Sequence, residues 1–64
     1  MSLNEIKDAV EAGKAVHWAN TGYVVIKDRV GQFLIKCTSN DSIIGLTHRD
    51  GVTLNGKPEE FFLA

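Results

Sequence analysis

His48, Arg49, Asp50 and Asn55 stand at the spacing of a protein-kinase catalytic loop, in which the aspartate orients a substrate hydroxyl and the asparagine holds magnesium. That chemistry also needs a glycine-rich lid, a phosphate-pairing lysine and a metal-binding aspartate on separate elements. A chain of 64 residues is several times too short to supply them, and the string reads as a polar loop between strands. Gly51 to Lys57 satisfies a phosphate-binding loop up to its last position, where Pro58 replaces the hydroxyl residue that would ligate magnesium. Such a loop must follow a buried parallel strand and open a long helix. Here Asn55-Gly56 is a hairpin-turn dipeptide instead.

His17, Cys37 and His48 are the soft or borderline metal ligands, and their spacing matches no zinc framework. No metal and no cofactor is expected. Cys37 with a histidine would need an activated thiolate in a partly open pocket. Its strand position puts it on the core face, where burial raises a thiol pKa and silences it. Glu59 and Glu60 are adjacent, so on an extended strand they point to opposite faces and cannot flank one bond. No catalytic residue is assigned, and the chain is not read as an enzyme.

The elements that must position these side chains follow from pattern. Ser2 with Glu5 is a capping box, and Leu3, Ile6 and Val10 with Ala9 form one helical stripe. Gly13 suits a left-handed cap, so a helix is expected over about 3–12. From Lys14 the period becomes two. Val16-His17-Trp18-Ala19, Tyr23-Val24-Val25-Ile26-Lys27, Gln32 to Thr38 and Ser42 to Thr47 read as strands. Between them lie turns at Asn20-Thr21-Gly22, Asp28 to Gly31 and Ser39-Asn40-Asp41. Val52-Thr53-Leu54 is a short extended piece, and Glu59 to Leu63 an edge strand or a single helical turn. The fold expected is α+β, mainly β: one domain over 1–64, with a short N-terminal helix and a four- to five-stranded antiparallel meander over about 14–64. The architecture that closes such a meander is a small SH3-like barrel.

Composition excludes whole classes of function. Seven Lys and Arg against eight Asp and Glu give a net charge of -1, no polyanion footprint. At 44% apolar residues the chain is not disordered. No run approaches a membrane span, and the early acidic residue argues against a signal peptide. A lone cysteine fits a reducing, cytoplasmic setting.

What remains is an excess of apolar residues for one thin core. If Val24 and Ile26 face inward, Tyr23 and Val25 face outward, as do Leu34 against Phe33 and Ile35, and Ile43 against Ile44. Either the helix covers part of that outer face, or a patch around Trp18, Tyr23, Val25 and Leu34 is left for another protein or a second copy of the chain. Trp18 and Tyr23 are the expected aromatic anchors, Leu34 their apolar neighbour, and His48 and Arg49 a polar loop contact. The alternative is a nucleic-acid-binding module using Trp18, Tyr23 and the scattered lysines.

The run from Gly13 to Trp18 leading into Tyr23 to Asp28, then Leu34 to Ser42 and Ile44 to Gly56, resembles small proteins encoded by bacteriophages and prophages. No functional residue is carried over from that resemblance. It implies a context: a small soluble accessory protein in an infected bacterial cytoplasm, acting by binding a host or phage macromolecule.

Overall fold

The capping box forms as the spacing predicts. In the computed structural model, which describes residues 1–64, the Glu5 N–H donates to Ser2 Oγ (3.2 Å) and the Ser2 N–H donates to Glu5 Oε1 (2.8 Å). These two bonds start helix α1, Leu3–Glu11. The Ser2 amide and hydroxyl, as donors, hold the Glu5 carboxyl below the usual carboxylate range. The helix ends where Gly13 takes a left-handed conformation (φ 82°). Its stripe docks: Ile6 and Ala9 are buried, with Leu3 and Val10 packed at the margin.

Five strands follow: β1 (Val16–Trp18), β2 (Asn20–Lys27), β3 (Phe33–Cys37), β4 (Ile43–Gly45) and β5 (Phe61–Leu63), the last entered through a single 3-10 turn at Pro58–Glu60. All pairings are antiparallel, in the order β4-β3-β2-β1-β5. The molecule is thus α+β and mainly β. Its closing segment is both things the sequence allowed, a helical turn and then an edge strand.

Two boundaries differ from expectation. The break expected over Asn20-Thr21-Gly22 lies inside β2, because one residue, Ala19 at φ 65°, makes the reversal. Asn20 Oδ1 then accepts the Gly22 N–H (2.8 Å), a local Asx bond that carries the irregular register beside Trp18. The strand expected to reach Thr47 stops at Gly45. Leu46 N–H still donates to the Phe33 carbonyl (3.1 Å), but the Leu46 carbonyl turns to Asn55 N–H (2.8 Å). Only an isolated bridge, Thr47 to Leu54, continues the extended geometry there.

The sheet is open, and the closed barrel expected from the meander does not form. β4 and β5 are three residues each and lie at opposite edges, and the chain between them, too irregular to form a bridging strand, loops over the core.

Register settles the faces. Tyr23 pairs with Cys37, Val25 with Ile35 and Lys27 with Phe33, so these side chains share one face. That face is the core: Val25, Ile35, Val16 and Phe61 are buried with Ile6, Ala9 and Leu46, and Trp18, Tyr23, Phe33 and Leu54 pack around them. Helix α1 and the stretch carrying Leu46 and Leu54 therefore cover the same side of the sheet. The outward facing considered for Tyr23 and Val25 is corrected: Val24 and Ile26 face out, because the pairing with β3 leaves them opposite Lys36 and Leu34.

Candidate functional site

Trp18 ends β1 and Tyr23 lies within β2, on the core face of both. Their rings meet edge to face, centroids 5.0 Å apart at 74°, and Phe61 adds a tilted contact to Trp18 at 6.4 Å. The Trp18 indole N–H donates to Glu60 Oε1 (3.3 Å), which also accepts the Lys57 N–H (2.8 Å). Gly56 presses its backbone onto the indole: a Cβ there would stand 2.6 Å from Trp18 Nε1. Trp18 is therefore a pillar that ties the segment before β5 to the sheet. Asn55-Gly56 is not a hairpin between strands. Its glycine is required by that close approach and by φ 148°.

Leu34 lies on the other face, so the structure divides the five candidate residues. Trp18 and Tyr23 pack together on the core side. Leu34, His48 and Arg49 come together instead around a groove of about 390 Å³ at the end of the sheet, where β3 starts and β4 stops. His48 and Arg49 are exposed, in the turn after β4.

The face that carries Leu34 holds residues the sequence did not single out as a group. Phe62, His17, Val24, Leu34, Ile26 and Ile43 all project there by register. None belongs to the core cluster. Phe62 is 38% exposed and Ile43 51%. Phe62 and His17 stack at 5.5 Å, and His17 Nδ1–H donates to the Tyr23 carbonyl (2.9 Å), which fixes the ring and leaves Nε2 unused. Lys36 is the cation on this face, and Asp41 lies 3.6 Å from its Nζ. The signal was the alternation itself: once Lys36 is placed outward, Leu34 must follow, and pairing carries the assignment to Val24 and Ile26.

Cys37 departs from expectation. It is half-buried at the end of β3, and its Sγ lies 3.2 Å from Ser39 Oγ. Hydrogen bonds from the Ser39 side chain and backbone lower the thiol pKa, where burial had been expected to raise it. His17, Cys37 and His48 do not gather, and no group of three His, Cys, Asp or Glu side chains is placed to hold a metal ion. No helix is long and apolar enough to cross a membrane. The chain matches no protein-family model, no curated protein and no solved structure.

Proposed function

We propose that the protein is a non-covalent protein-binding module whose contact surface is the uncovered face of its sheet. The observation that carries this reading is the one-sided core: helix α1 and Leu46 pack on one face, and the apolar residues Phe62, Val24, Ile26, Leu34 and Ile43 on the other have no covering element. An apolar sheet face flanked by an aromatic on its edge strand is a surface of the kind that protein partners desolvate. The patch has a single cation, Lys36, with Asp41 beside it, which favours a protein over a polyanion as occupant. Trp18 and Tyr23 support the patch from beneath by fixing β1 against β2. An accessory role in an infected bacterial cytoplasm, implied by the sequence resemblance, is the setting we assign to it.

Affinity capture from a bacterial lysate, with mass spectrometry of what is retained, tests the reading when wild type is compared with Leu34→Lys combined with Phe62→Lys. Both side chains lie outside the core, so the circular-dichroism spectrum should be unchanged while retention of specific proteins is lost. If the variant keeps its fold and captures the same proteins, the face is not the contact surface. Sedimentation of wild type separates a second copy of the chain from a foreign partner.

A further inference from the structure

The groove at the head of β3 carries a chemistry unlike that of the sheet face. Lys7 reaches it from helix α1, Arg49 and His48 from the turn after β4, and Phe33 and Leu46 lie between them. No acidic residue lines it. The two ion pairs of the protein engage Lys27 with Glu11 and Lys36 with Asp41, so Lys7 and Arg49 have no carboxylate partner. Lys7 Nζ is 5.5 Å from the centroid of the Phe33 ring, whose face holds the ammonium at the groove wall.

The acids in the neighbouring loops are already engaged. Asp28 Oδ1 accepts the Val30 and Gln32 N–H groups (3.0 and 2.8 Å). Asp50 accepts from the Val52 and Thr53 N–H groups and from the Thr53 hydroxyl (3.0, 2.9 and 2.6 Å). A backbone donor adds to the cations. Leu46 N–H donates to the Phe33 carbonyl, while the Leu46 carbonyl is taken by Asn55, so Phe33 N–H receives no carbonyl in return. The ladder is open at a residue that lines the groove.

We propose that this groove binds the anionic group of a small organic phosphate monoester. Arg49 and His48 line the groove from one turn and Lys7 from helix α1, and Phe33, with its unbonded N–H, lines it from β3; donors drawn from several elements suit a tetrahedral dianion with oxygens pointing several ways. A planar carboxylate would be satisfied by the Arg49 fork alone. The volume lies in the range of small-molecule sites and leaves room for the organic part beside Phe33.

Amide NMR titrations with adenosine monophosphate, inorganic phosphate and adenosine test this. Adenosine monophosphate should give saturable shifts at residues 31–34 and 45–51, inorganic phosphate weaker shifts at the same amides, and adenosine none. Arg49→Gln, at an exposed position that leaves the fold intact, should weaken adenosine monophosphate binding by about tenfold or more, as loss of a charged hydrogen bond does. Lys7→Gln should do the same, with Lys7→Arg restoring binding. Three results overturn the proposal: no saturable shift at millimolar adenosine monophosphate, equal shifts with adenosine, or undiminished binding in Arg49→Gln. The protein-contact face is untouched by either substitution, so partner capture reads out separately.

Discussion

Cys37 lies on the core face of β3, yet its thiol behaves as a strand-end group because the turn that follows brings Ser39 to it. Its lowered pKa raises the thiolate fraction at neutral pH. Ser39→Ala should therefore slow alkylation of Cys37 by iodoacetamide at pH 7, and a rate unchanged from wild type would refute the hydrogen bond's role. Asp50 offers a second residue-scale test. The Thr53 hydroxyl first, then the Thr53 and Val52 N–H groups and the nearby His48, bring its carboxyl from 3.8 to about 2. A carboxyl depressed in the folded state binds fewer protons there, so its contribution is whole above pH 3.8 and is lost as pH falls towards 2. Amide protection at Val52 and Thr53 should fade over that interval while protection at Val25 and Ile35 persists. Asp50→Asn should remove the pH dependence and leave those two loop amides exchanging faster than in wild type above that interval.

Elements differ in how much of their placement is local, and that decides what could be read from the chain. Helix α1 was legible because its cap is written in Ser2 and Glu5 and its stripe in Leu3, Ile6 and Val10. Ile6 is fully buried, so Ile6→Ala should cost about 2–5 kcal/mol in chemical denaturation. Ser2→Ala should cost only about 1 kcal/mol, the worth of a cap. Equal losses would mean that the helix is held by its cap rather than by docking. Strand β3 was legible too, since Lys36 and Thr38 alternate with Ile35 and Cys37. Strand β2 was not: Tyr23-Val24-Val25-Ile26 is apolar at both parities, so no alternation tells inside from outside. Its facing is set by pairing with β3, a non-local fact, and so Tyr23 and Val25, expected on the outer face, lie on the core side with Trp18. The demand on Gly56 is likewise non-local, because it comes from Trp18, distant in sequence. Gly56→Ala should destabilise by about 1–3 kcal/mol, the usual cost of overpacking, with a shift in Trp18 fluorescence. An unmoved spectrum would mean that the indole does not bear on that backbone.

The whole molecule is a sheet with one face filled and two edges free, and both features trace to its size. A chain of 64 residues has material for one covering layer, and helix α1 with the 46–57 stretch supplies it on a single side. Apolar residues left over go to the far face, where they are either bound by a partner or a liability. The edges pose the same choice. In the antiparallel ladder Ile44 bonds β3, so the backbone groups of Ile43 and Gly45 point away from it, and only the Gly45 carbonyl is met, by the Asn55 side chain at 3.3 Å. Ile43 and Ile44 thus present an apolar edge with open hydrogen-bonding groups and no proline or lysine to block pairing. Short length is the restraint, since three residues form few bonds with a neighbour. Ile44 is 42% exposed and lies outside the core cluster. Ile44→Lys should therefore leave the urea midpoint nearly unchanged while reducing light scattering on heating at high concentration. A large fall in the midpoint would show that this edge is part of the core after all. Unchanged scattering would place the association on the broad face of Phe62, Val24 and Leu34, the surface assigned to the partner.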